Sequence, residues 1–214
     1  SGVVFREDTI RAVSQLLARK SRELGHTIYL LSDEPYRELA YDGMEVPYLP
    51  NYYPNTLVCN SFSKCLSLAG ERLGYVLVPE TVENWRDVYA AVCGGGRALG
   101  YINVSSLFQF ALPACLGQTA DLSIYAENRR ILVSALKEYG YEMATPDGAF
   151  YLLVKAPNGD ANAFSEAAKL RHNLLVVPTD GFGCPGYFRL SYCVARDMIQ
   201  RSLPAFRAMI DRGV

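Results

Sequence analysis

Lysine is out of place directly after a run as apolar as Thr56-Leu57-Val58-Cys59, yet Lys64 closes the segment Ser61-Phe62-Ser63-Lys64 that follows. An amine held in such a place can attack a carbonyl and form a Schiff base. Arg72, in Gly70-Glu71-Arg72-Leu73-Gly74, supplies a nearby cation and, with the Ser61 hydroxyl, can clamp a phosphate. Gly70 and Gly74 give the backbone room for a tight path around it. Asp33 ends a second apolar run, Thr27-Ile28-Tyr29-Leu30-Leu31-Ser32, with Tyr36 close behind. A carboxylate and a phenol so placed can flank one planar ligand. The carboxylate would hold a ring nitrogen protonated and make the ring an electron sink, while the phenol donates to a ring oxygen. Arg189, in Phe188-Arg189-Leu190-Ser191 behind the glycine-rich stretch Gly181 to Gly186, suits two-pronged capture of a small carboxylate. Taken singly, each residue has an ordinary reading: a solvated loop lysine, a turn-capping aspartate, an edge-strand arginine paired with an acid.

Positioning such groups requires rigid elements behind them. The apolar positions Ile10, Val13, Leu16, Leu17 and Leu24 recur at helical spacing, and Gly25 marks a stop, so residues 7–24 are expected to be a helix. Residues 27–32 read as a parallel strand covered on both faces. Residues 56–60 and 73–78 read as two more strands, and the proline-broken stretch 48–55 as irregular. Helical patterns return over 82–92, 105–116 and 121–139, with Gly94-Gly95-Gly96 read as a flexible connection between the first two. Beyond Gly140 the pattern changes to a hairpin, 141–144 with 149–155, turned by Thr145-Pro146-Asp147-Gly148. A helix over 161–172, strands over 174–177 and 187–193, and a closing helix from Arg196 to about Arg212 complete it. The expected organisation is α/β: residues 1–120 as one layered domain, 121–214 as a smaller α+β domain. All four chemical features lie at strand ends or in the loops after them, where open α/β sheets bind ligands.

Composition narrows the function. The 214 residues are 50% hydrophobic and carry 21 Lys+Arg against 22 Asp+Glu, a formal charge of −1, which excludes a disordered chain and a generic polyanion or nucleic-acid binder. Six cysteines without a C-x-x-C pair and two histidines, His26 and His172, assemble no familiar zinc framework, so no metal is expected; the thiols read as reduced and mostly buried. Both histidines read as structural, and Tyr48, Tyr52 and Tyr53 as packing or subunit contact. No apolar run approaches the twenty or so residues of a membrane helix and no signal peptide opens the chain, which points to the cytoplasm.

In this order, Asp33-Glu34-Pro35-Tyr36, Ser61-Phe62-Ser63-Lys64, Gly70-Glu71-Arg72-Leu73-Gly74 and Phe188-Arg189-Leu190-Ser191 resemble the class I/II aminotransferases of the aspartate aminotransferase fold, which use pyridoxal phosphate. The resemblance implies a partial three-layer α/β large domain of a fold-type I enzyme followed by the small domain. It implies Lys64 as the Schiff-base lysine, Asp33 as partner of the pyridine nitrogen and Tyr36 as partner of the 3-hydroxyl. Ser61, Arg72 and Ser63 would hold the cofactor phosphate, and Arg189 the α-carboxylate of an amino acid exchanging its amino group with a 2-oxo acid. A homodimer in the full-length protein is implied too. The family's first half has no counterpart here. Ser1-Gly2 matches either the end of that half's N-P-x-x-P-[ST]-G segment or the remnant of a tag. The chain is thus read as the C-terminal part of such an enzyme, inactive alone. A carbon-sulfur lyase or synthase of the same fold, or a non-enzymatic aminotransferase-like regulator domain, would use the same residues.

Overall fold

The computed structural model describes residues 2–211, so Ser1 and the expected helix end at Arg212 lie outside the described residues. The chain divides into two compact units: Val4–Ala120, and Asp121–Val214 together with Ser1–Val3. Gly2 belongs to the later unit because its carbonyl accepts the N–H groups of Asp147 and Gly148 at 2.8 and 2.9 Å. It does so at φ +75°, where a side chain would meet Pro146 Cβ at 2.6 Å, so only glycine fits.

In the Val4–Ala120 unit, α1 (Glu7–Leu24) ends at Gly25 in the left-handed region, as the sequence spacing requires. Strands β1 (Leu30–Asp33), β2 (Thr56–Ser61) and β3 (Gly74–Leu77) form one mixed sheet, β2 central, parallel to β1 and antiparallel to β3. β1 is not covered on both faces. Ser32 is buried while Leu31, 66% exposed, and Asp33 point the other way, so the strand alternates. Thr56, Leu57 and Val58 at the start of β2 are buried, as are Leu39, Tyr41, Tyr53 and Val82 in the same unit. A four-residue helix, α2 (Phe62–Cys65), follows β2 without a loop.

The expected break at Gly94-Gly95-Gly96 does not occur. These glycines lie inside α3 (Trp85–Ala98), each costing about 1 kcal/mol relative to alanine. Helical bonding nevertheless carries through them, Leu99 N–H donating to Gly95 carbonyl, and the left-handed stop falls at Gly100 (φ +85°). α4 (Ser106–Ala111) runs into a 3-10 turn, Leu112–Cys115, at Pro113. Of the six cysteines, all free, only Cys65 is buried and Cys184 and Cys193 are exposed, so the thiols are not mostly buried. Tyr53 is buried and donates to Ile28 carbonyl at 2.6 Å, while arginines lie over the Tyr48 and Tyr52 rings; the tyrosine cluster is packing.

The later unit contains α5 (Ser123–Glu138), β4 (Tyr151–Lys155), α6 (Ala161–His172), β5 (Val177–Pro178), β6 (Tyr187–Ser191) and α7 (Arg196–Asp211), with an antiparallel sheet ordered β4-β6-β5. The expected hairpin reduces to one bridge, Met143 with Val154. β4 takes its partner from β6 over five residue pairs instead. The turn's groups are spent elsewhere: Pro146 carbonyl accepts from Arg129 Nε at 2.7 Å, and Gly2 takes two N–H groups. Phe164 and Phe188 stack at 4.4 Å in the core, and Tyr141 meets Phe164, Phe188 and Phe206 edge-on at about 6 Å. α6 is capped at both ends, Asp160 Oδ1 accepting from Ala163 N–H and Asn173 turning left-handed.

Candidate active site

Parallel pairing in register sets Asp33 beside Cys59, so the carboxyl ends of β1 and β2 lie together. Past Asp33 the chain turns through Glu34 to Leu39, where Leu39 N–H donates to Tyr36 carbonyl at 2.9 Å. Past β2 it enters α2 directly, which places Lys64 one turn from Ser61. These two paths meet: Lys64 Nζ lies 5.8 Å from the centre of the Tyr36 ring. That pairing joins two motifs 28 residues apart in sequence, by subtraction of their numbers.

Asp33 is exposed, and among the described residues its carboxylate makes no hydrogen bond or ion pair. Burial, and after it the Asp33 charge, push the Cys59 thiol above its usual range, which keeps that neighbour neutral. Ser61 precedes α2 in an extended conformation, and its hydroxyl makes no cap bond; Ser63 is half-buried on α2. Arg72 is exposed. Its backbone itself adopts the left-handed conformation (φ 55°), and Nη1 donates to Ala69 carbonyl at 2.9 Å, leaving its other donors available to solvent. Gly70 is thus not what turns the loop. Gly74 does matter, since a Cβ there would sit 2.5 Å from Asn60 carbonyl and force β3 off β2.

Sequence reasoning missed the supports. Glu34, only 8% exposed, accepts from Ser32 Oγ at 2.7 Å and from Arg37 Nη1 at 2.8 Å. Arg37 also donates to the carbonyls of Val46 and Pro47, which fastens the turn bearing Tyr36 to the following loop. The Tyr48 phenol is pushed up by burial and then by Glu34 and Tyr75, with Arg37 opposing. Asn60 Oδ1 accepts from Ser61 N–H at 2.7 Å and its Nδ2 donates to Tyr75 hydroxyl at 3.3 Å, bracing the residue before α2. The strand alternation that turns Asp33 outward also turns Ser32 and Glu34 inward, the one sequence cue that could have found Glu34.

Arg189 belongs to the other unit, in the middle strand of its sheet, opposite Leu153 on one side and Val177 on the other. It is half-buried, with the Tyr151 and Phe182 rings 4.6 and 5.1 Å from its guanidinium carbon.

Among the described residues these groups fit a planar, anionic, carbonyl-bearing ligand. There is an unspent carboxylate for a ring nitrogen, a phenol beside an amine, and serine hydroxyls and an arginine for a phosphate. Among the described residues no helix is long and apolar enough to cross a membrane. Residues 1–206 match the family described as aminotransferase class I and II. A crystal structure of an amino transferase from Eubacterium rectale is 53% identical with a TM-score of 0.96, covering 99% of this chain and 53% of that one. An aspartate aminotransferase of Pyrococcus horikoshii is 31% identical over 188 residues, 81% of this chain and 46% of the relative. A histidinol-phosphate aminotransferase of Cupriavidus pinatubonensis is 32% identical over 170 residues, 77% of this chain and 43% of that one. The chain spans about half the length of the curated relatives it matches.

Proposed function

Because the chain belongs to the class I and II aminotransferase family, we propose that it is the part of a pyridoxal-phosphate-dependent transaminase that holds the reactive lysine and the substrate arginine. The observation that carries this is the meeting of Lys64 with Tyr36 past the adjoining carboxyl ends of β1 and β2, the first of which ends in Asp33. On this reading residues 1–120 are the C-terminal part of the cofactor-binding large domain and 121–214 the small domain.

Pyridoxal phosphate, when bound, supplies the electron sink that a deprotonated α-carbon needs. Asp33 would hold the proton on the ring nitrogen. Tyr36 would donate to the ring oxygen, and Ser61, Ser63 and Arg72 would hold the phosphate with charge-assisted bonds. Lys64 would bind the cofactor covalently at rest, and its freed Nζ would then take the proton from the substrate α-carbon and return it. Arg189 would hold the α-carboxylate, fixing which bond at the α-carbon is cleaved. An amino acid and a 2-oxo acid are therefore the substrates, and a cytoplasmic homodimer belongs to the same proposal. The relatives named above are aminotransferases, which favours transamination over carbon-sulfur lyase chemistry or a non-enzymatic role.

Inactivity of the isolated 214 residues is part of the proposal as well. It is supported by the exposed apolar side chains of β1 and β3, Leu31, Tyr75, Val76 and Leu77. The test is transfer of isotope-labelled amino nitrogen from an amino acid to a 2-oxo acid by the longest polypeptide encoded with this chain. Lys64→Ala should abolish transfer, and unchanged transfer would refute the role.

A further inference from the structure

The Arg189 guanidinium has two aromatic rings close by, and the segment carrying one of those rings is closely hydrogen-bonded. Phe182 ends a 3-10 turn, Asp180–Phe182, closed by a left-handed Gly183. Beneath it, the buried Thr179 hydroxyl donates to the carbonyls of Cys184 and Tyr187 at 2.7 and 2.8 Å. Its carbonyl accepts the N–H groups of Phe182 and Cys184, both at 3.0 Å. A loop wired in this way holds Phe182 firmly while leaving it 64% exposed. An exposed ring so fixed gains little from burial, and its contact is with the Arg189 guanidinium, 5.1 Å from the ring centre. Tyr151, on the neighbouring strand β4, approaches the same carbon at 4.6 Å. The five N–H donors of that guanidinium have no acceptor among the described residues.

We propose that Tyr151 and Phe182 are positioning residues that clamp the Arg189 guanidinium between them, so that its planar N–H edge is presented to a planar carboxylate. The inference rests on the reading of Arg189 as the carboxylate-binding residue. Rings against a guanidinium attract it, restrain its rotation and strip water from its faces, while leaving its in-plane donors free. A carboxylate can then accept two parallel N–H bonds in that plane.

The test uses the 214-residue chain labelled with nitrogen-15, following the Arg189 Nε–H resonance, assigned by its loss in Arg189→Lys. Acetate is the probe. The unmodified chain should show the resonance shifted by the neighbouring rings, and acetate should move it in a saturable way. Phe182→Leu should remove part of the ring shift and weaken acetate about three- to tenfold. Phe182→Tyr should restore both. Because Phe182 is exposed, neither change threatens the fold. Acetate affinity unchanged in Phe182→Leu, or lost equally in Phe182→Tyr, would overturn the clamp. Failure of the transaminase reading shows elsewhere, as absence of covalent cofactor at Lys64, and leaves this titration to decide the clamp by itself.

Discussion

Removing Glu34 should cost more stability than its place in a surface-facing turn suggests. Glu34 is buried and its two oxygens accept from Ser32 and from Arg37. The Arg37 side chain is 24% exposed. Taking one partner from a buried ion pair costs about 3–5 kcal/mol, because the other charge is left without compensation. Water reaches part of Arg37, and its bonds to Val46 and Pro47 carbonyls survive, so the lower end applies: about 3 kcal/mol for Glu34→Leu. Arg37→Leu should cost a similar amount, since it strands a carboxylate that is more deeply buried. The double change removes both charges and should cost well under the sum, by about 2 kcal/mol. The protein has one tryptophan, Trp85, in the same unit, so urea unfolding followed by its fluorescence reports the relevant transition. A Glu34→Leu cost below about 0.5 kcal/mol, the usual range of surface changes, or strict additivity in the double variant, would refute the reasoning.

Asp33→Asn keeps the shape and removes the charge, so it should depress the chemical step by orders of magnitude with a smaller loss of cofactor affinity; steady-state kinetics and cofactor titration read the two separately. Arg189→Lys keeps the charge and loses the fork, so it should chiefly raise KM for the amino acid. Asp33→Asn should also bring the Cys59 thiol back toward its usual range, because one of its two upward influences is removed. Site-resolved alkylation of Cys59 at pH 8 should accordingly speed up. Burial pushes the Tyr141 phenol well above the usual tyrosine range. Its stabilising contribution is complete below about pH 10 and declines as pH rises toward the folded value, by up to about 1.4 kcal/mol per pH unit. Tyr141→Phe should flatten that alkaline slope in urea midpoints, while losing about 1 kcal/mol at neutral pH with the bond to Phe206 carbonyl.

What the sequence made legible follows from local physics. The ends of α1 and α6 coincide with the expected ones because a left-handed Gly25 and a side-chain cap at Asp160 are decided within a few residues. The succession of β1, β2 and β3 along the chain and the placement of Asp33, Ser61 and Lys64 at or just past strand ends were legible for the same reason. Three features were not. Helical hydrogen bonding overrides three weak formers at Gly94 to Gly96, and no local rule shows that Gly100 will be the stop instead. β4 pairs with β6, distant in sequence, rather than with the adjacent segment, a choice made by tertiary packing. The Glu34–Arg37 pair, which secures the turn between Asp33 and Tyr36, shows in sequence only as two charged residues beside a proline. Charged residues are read as solvated unless a partner is known.

The central claim is that Lys64 is the residue that carries the cofactor. The longest polypeptide encoded with this chain, incubated with pyridoxal phosphate, reduced with borohydride and digested, should yield one modified peptide, containing Lys64. The chain has only four other lysines, Lys20, Lys137, Lys155 and Lys169, so the mapping is unambiguous within it. A reduced adduct on any of those four, or none on Lys64 under conditions that saturate cofactor binding, would contradict the account.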